Sequence, residues 1–209
     1  MAAVHTIACV QDRAAMESSA QHALKGRSFR FVVALLGALC MGTTLPSAHA
    51  GALFDATDVD AGNFLLVAAP IGNGERAQLN IYEQIKATRP CFAVTGAQPG
   101  QVDPLLSTFD FTGICGRFLD GNGYSLRIGG SDLASSYRLS VIRSNNDNLL
   151  LAVPTKSGVG PEMVVARTLG PGSGFLQLVL EPGWQLKRRA YAGRRLGHVY
   201  LYRDGWPNQ

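Results

Sequence analysis

From residue 63 to the C-terminus the chain alternates short apolar runs with Gly-, Pro- and Asn-rich breaks, and stretches with a helical apolar period are few. Short apolar runs separated by turn signals predict an all-β fold, here a single sandwich- or barrel-like domain of short antiparallel strands. The runs place strands at Phe64–Ala69, Ala77–Ile85, Cys91–Thr95, Ile114–Phe118, Tyr124–Ile128, Tyr137–Ile142, Leu149–Val153, Met163–Thr168, Phe175–Leu180, Trp184–Tyr191 and His198–Tyr202. The composition of residues 75–86 would also permit a helix. Ala77, Leu79, Ile81 and Ile85 share one parity, however, which favours a strand with one apolar face. Asp120-Gly-Asn-Gly123 and the Asn-rich segment from Ser144 to Asn148 are turn chemistry, because Gly and Asn tolerate positive φ. One short helix of about two turns is predicted after Asp103, with that carboxylate as cap, Pro104 at the first helical position and Leu105 to Phe109 following.

Two pairs of segments look alike. Asn63 to Pro70 matches Asn148 to Pro154, and Gly123 to Arg127 matches Gly183 to Lys187. Each of the latter is followed by a further strand, Tyr137–Val141 and His198–Tyr202. The domain is thus open to a reading as two pseudo-repeated halves, the first carrying an insertion that holds both downstream cysteines and the short helix.

The pattern before residue 63 is different. Lys25, Arg27 and Arg30 flank an apolar run from Phe31 to Met41, and Ala48-His-Ala50 follows, the arrangement of an export signal cleaved between Ala50 and Gly51. At about 1.5 Å per residue the run covers only about half of a ~30 Å hydrocarbon core, so it does not read as a transmembrane anchor. Residues 1–50 are therefore read as signal peptide, with Met16 as an alternative start, 51–62 as a flexible lead-in and 63–209 as one β-rich domain. The expected destination is the periplasm, the cell surface or the medium.

Removing the leader changes the chemistry on offer. Of four histidines only His198 remains, and of four cysteines only Cys91 and Cys115. In an oxidising compartment the cysteine pair is expected as one disulfide, the alternative being two reduced core residues. No histidine lies between them, which argues against a metal site, and no cofactor is expected. Residues 51–209 carry 15 Lys plus Arg against 13 Asp plus Glu, a net charge of +2. That balance, with export, argues against a nucleic-acid partner.

The densest chemical feature is the basic and aromatic stretch of Trp184, Lys187, Arg188, Arg189, Arg194, Arg195, His198, Tyr200 and Tyr202. Guanidinium forks bind anionic groups in bidentate fashion, and aromatic faces stack on sugar rings or cations. The bland alternative is a basic edge strand that blocks unwanted sheet pairing. A hydrolase alternative would need two converging acids, for which Glu83, Asp110 and Asp120 are the candidates. His198 as base of a serine triad would need a partner such as Asp110 or Asp204, without a Gly-x-Ser-x-Gly elbow to mark it. Asp55, Asp58 and Asp60 alternate like calcium ligands but lack the closing bidentate Glu.

Several strings have a family character: Val67 to Gly74, Leu79 to Ile85, Arg89 to Phe92, Phe109 to Arg117, Asn122 to Gly130, Gly183-Trp184 and Leu196 to Leu201. Together they resemble a cyanobacterial secreted family catalogued only as a domain of unknown function. The resemblance implies an exported β-rich domain and carries no activity or catalytic residue with it. The functional expectation is a non-enzymatic domain that binds an envelope polymer, such as an anionic polysaccharide or peptidoglycan, or another exported protein. The runner-up is an envelope glycan hydrolase.

Overall fold

The computed structural model describes residues 53–144 and 146–207. The predicted leader and its cleavage site lie outside the described residues. Fourteen strands form: β1 Asp55–Asp58, β2 Phe64–Ile71, β3 Arg76–Gln84, β4 Ala93–Thr95, β5 Gln101–Asp103, β6 Cys115–Phe118, β7 Tyr124–Ile128, β8 Ser131–Asp132, β9 Tyr137–Arg143, β10 Asn148–Pro154, β11 Met163–Arg167, β12 Leu176–Leu180, β13 Gln185–Tyr191 and β14 Arg194–Arg203. Among the described residues no helix is long and apolar enough to cross a membrane.

Six strands close into an antiparallel barrel in the order β2-β3-β9-β10-β11-β12 and back to β2. The order is that of an up-and-down barrel, interrupted once between β3 and β9 by an excursion that carries β4 to β8. Two seams are narrow. β3 meets β9 only at Ala77↔Val141, and β12 meets β11 only at Leu180↔Ala166 and Val179↔Arg167. Beyond these contacts the excursion supplies the missing partners, β6 beside β3 and β5 beside β12. The insertion thus pairs backbone along the splayed edges of the barrel.

A second, five-stranded sheet runs β1-β13-β14-β7-β8. Its inner face, including Tyr124, Leu126, Leu186, Val199 and Leu201, joins the barrel interior of Leu66, Leu79, Ile81, Leu150, Val165 and Leu178 in one apolar cluster. Burial of these side chains is the main drive holding the two sheets together. A smaller cluster forms on the outside of β2 and β3, where Leu65, Val67 and Tyr82 are covered by Cys91, Val102, Leu106 and Cys115 of the excursion. Cys91 and Cys115 are disulfide-bonded.

The parity argument for residues 75–86 holds within β3, where Ala77, Leu79 and Ile81 point inward, but not for Ile85, which lies past the strand end and is exposed. The predicted two-turn helix is instead a single 3-10 turn, Leu105–Thr108. Pro104 occupies its cap position without a side-chain bond, and Asp103 ends β5. The segment is too short for a stable α-helix. Leu106 is fully buried and its N–H donates to Cys91 O at 2.8 Å, so one tight turn satisfies it. Part of the expected lead-in, Asp55–Asp58, forms β1 and pairs with β13.

The repeat reading meets a mixed outcome in topology. The look-alike segments β2 and β10 sit three places apart in the six-membered barrel order. The strands matched after them do not correspond, since β9 belongs to the barrel and β14 to the other sheet.

Candidate functional site

β13 and β14 form a hairpin whose register pairs Tyr191 with Arg194, leaving Ala192-Gly193 as a two-residue turn. Both turn residues have positive φ, 48° at Ala192 and 76° at Gly193, as a type I′ turn requires. Asn or Gly normally takes the first of these positions, so Ala192 holds the tip under local strain. The hairpin is not an edge: β1 covers β13 on one side and β7 runs parallel to β14 on the other. The basic residues on β13 therefore do not serve as edge protection.

Strand alternation divides the predicted ligand-binding residues between two faces. Leu186, Arg188 and Ala190 face inward, while Lys187 and Arg189 lie on the outer face with His198, Tyr200 and Tyr202 of β14. Arg188 is buried, ion-paired with Glu83 of β3 and set near the rings of Phe64 and Phe118 at 5.4 and 5.3 Å. Trp184 belongs to the core cluster and offers no free aromatic platform. Both side chains are buried, apart from the exposed cations of the hairpin.

On the outer face a polar cluster forms around Tyr200. Arg189 donates through Nε to the Tyr200 hydroxyl at 2.6 Å and through Nη2 to Asp132 Oδ2 at 2.7 Å. Tyr200 in turn donates to the same carboxylate at 2.8 Å. Parallel pairing of β14 with β7 sets Ser125 beside Tyr200 and brings its hydroxyl to 2.8 Å from His198 Nε2. His198 Nδ1 lies 2.8 Å from Asn122 O. A carbonyl can only accept, so Nδ1 carries the proton and Ser125 Oγ–H donates to Nε2. Burial, the first cause, and the guanidinium of Arg189 push the His198 pKa below its usual value, despite the opposing bond to Asn122. Burial and the bond to Asp132 push the Tyr200 pKa up. Arg127 completes the group, 5.1 Å over the Tyr200 ring, with Nη1 lacking a hydrogen-bond partner among the described residues.

Ser125 and His198 have the hydrogen-bond pattern of an activated nucleophile, but each is 5% exposed. Their geometry matches a stitch between β7 and β14 at least as well as a reacting centre. Neither Asp110 nor Asp204 hydrogen-bonds to His198, the orienting group being the Asn122 carbonyl. Neither Ser125 nor Asp132 carried a recognisable signal in the sequence, since only the parallel β7–β14 pairing, between segments 73 residues apart, assembles them.

The candidate acids are each engaged separately. Glu83 holds Arg188, Asp110 caps the N–H of Thr112 at 3.1 Å, and Asp120 caps that of Asn122 at 2.9 Å. Bonds from Thr112 hold the Asp110 carboxyl below its usual range. Asp60 caps the 3-10 turn Ala61–Asn63, and Asp58 pairs with Lys187 at 3.0 Å, with Lys187 Nζ 4.4 Å from the Tyr202 ring centre.

What remains open to solvent is the tip of the hairpin. Tyr191, Arg194 and Arg195 are exposed, and Phe54 packs edge-on to Tyr191 at 6.0 Å. Arg194 has no ion-pair partner among the described residues, and Arg195 makes only a 3.4 Å bond to Asp58 O.

Fold and site together define an all-β barrel domain stapled by one disulfide and carrying a basic-aromatic hairpin. The chain belongs to the family described as "Protein of unknown function (DUF3747)", whose model matches residues 31–206. Comparisons with curated proteins and with solved structures return no match.

Proposed function

We propose that this protein is an exported, non-enzymatic domain that binds an anionic polysaccharide of the cell envelope through the tip of the β13–β14 hairpin. The single observation behind this reading is the division of labour among the hairpin cations. Arg188 and Arg189 are spent on Glu83 and Asp132, whereas Arg194 and Arg195 stand outside any ion pair among the described residues, beside exposed Tyr191. Unspent guanidiniums next to an aromatic ring suit carboxylate or sulfate groups on a sugar chain. The leader-like residues 1–50, a disulfide suited to an oxidising compartment and the resemblance to cyanobacterial secreted proteins support the envelope setting.

The test is binding of the full chain to alginate, a polyuronate, at two salt concentrations. The paired variant Arg194→Ala, Arg195→Ala is expected to lose at least about tenfold in affinity and to flatten the salt dependence. Undiminished binding by that variant refutes the tip as the contact. Capture of an exported protein instead of the polymer refutes the ligand class.

A further inference from the structure

We infer that a groove on the outer face of β3 is a second, separate subsite that takes one acidic sugar unit, a uronic acid. The inference deepens the polysaccharide reading and rests on it for the ligand class, but it does not depend on the hairpin.

The floor of the groove is a polar row. Gln78, Asn80 and Tyr82 occupy alternate positions of β3, on the face opposite Leu79 and Ile81, so successive side chains stand about 6.6 Å apart. They line a cavity of about 330 Å³, with Arg117 next to Tyr82 in the β3–β6 register and Phe175 also in the lining. That volume lies in the lower range of small-molecule sites.

The hydrogen bonds along the floor run one way. Gln78 Nε2 donates to Asn80 Oδ1 at 3.1 Å, and Asn80 Nδ2 donates to the Tyr82 hydroxyl at 3.0 Å. Among the described residues the row therefore ends in a phenol proton without an acceptor and begins in a Gln78 Oε1 without a donor. Asn80 and Tyr82 are only 7% and 3% exposed. Gln78 is exposed and its open end faces water, whereas unused donor capacity at the burial of Tyr82 is costly unless a ligand or water supplies the partner. Sugar hydroxyls both donate and accept, so a hydroxyl of one pyranose takes the Tyr82 proton while Arg117 is beside it for the acid group.

Charge selects the kind of sugar. No Asp or Glu lines the cavity, and its one charged residue is Arg117. This exposed guanidinium lies 5.1 Å over the Phe111 ring and has no ion-pair partner among the described residues. It is placed for a carboxylate. An extended peptide is the poorer fit, because β3 is hydrogen-bonded on both sides and offers no free edge for strand addition. The groove wall also depends on the disulfide: Leu106 borders the cavity and donates its N–H to Cys91 O.

The experiment titrates the full chain with trigalacturonate and with neutral maltotriose, following the side-chain amide NMR signals of Gln78 and Asn80. The acidic trimer is expected to shift both signals and to bind about tenfold more tightly than the neutral one. Arg117→Ala, at an exposed site where the fold is not at risk, should abolish that preference. Gln78→Ala should weaken both sugars. In the Arg194→Ala, Arg195→Ala background the trimer should still shift the Gln78 and Asn80 signals, and those shifts should still depend on Arg117, which separates failure at the tip from failure in the groove. The subsite is overturned by absent shifts, by equal affinity for both trimers, by a preference that survives Arg117→Ala, or by shifts from an acidic tripeptide but not from the sugar.

Discussion

Arg188 and Glu83, 105 residues apart, are ion-paired across the interface between the five-stranded sheet and the barrel. The first looks from the sequence like a ligand-binding cation and the second like a catalytic acid. Each is the other's partner. Gly116 makes the arrangement fit: it lies opposite Glu83 in the β3–β6 register, and a Cβ there would stand 2.7 Å from Glu83 Oε2.

Removing one member of this pair leaves the other charge mostly buried and alone. Arg188→Ala is expected to lower unfolding free energy by about 3 kcal/mol, measured by urea denaturation. Arg194→Ala, at the exposed tip, should stay within about 0.5 kcal/mol of the parent. Equal stability of the two variants would show that the inter-sheet pair contributes nothing.

His198 makes stability depend on pH in a defined direction. Its folded pKa is lowered from the usual 6.5, so the unfolded chain takes up a proton first as pH falls. The contribution is complete above about pH 6.5 and is lost below it, as pH drops towards the folded value. A series of thermal melts from pH 8 to 5 should show a steeper decline for the parent than for His198→Gln, which cannot titrate. Parallel declines would contradict the buried neutral imidazole.

The strained turn offers a gain. Ala192 sits at φ 48° and is exposed, so Ala192→Gly or Ala192→Asn should stabilise by up to about 1 kcal/mol. If either change also weakens alginate binding, the strain is a feature of the contact; if stability falls, the tip does not adopt the I′ turn.

Reduction of Cys91–Cys115 releases a loop with a sequence separation of 24. Chain-entropy arithmetic for that closure gives roughly 3–4 kcal/mol, a model-dependent figure. The loss should appear first in the excursion, so hydrogen exchange in residues 101–118 should rise before exchange in β10 and β11. Simultaneous loosening of both regions would mean that the excursion and barrel unfold as one unit.

The sequence by itself determined the all-β class and most of the strands. All nine strands of five residues or more, and the shorter β4 and β6, are marked by apolar parity or by bounding Gly, Pro and Asn, which are local properties of the chain. Strands β1, β5 and β8 were not marked, because four, three and two residues of mixed polarity form strands only when a neighbour supplies the hydrogen bonds. The helix at Leu105 failed for a related reason: capping chemistry favours a start but does not provide the length.

For the candidate site, the sequence located the cations and aromatics of the hairpin but not their allocation. Which guanidinium is free depends on where Glu83 and Asp132 fall, and those positions come from pairings across roughly 60 to 100 residues. The same holds for Ser125 beside His198 and for Arg117 beside Tyr82. Composition and alternation act over a few residues, so they reveal which side chains share a strand face. Only the closure of the barrel and the parallel joining of β7 to β14 decide which charges are neutralised inside and which are left for a partner.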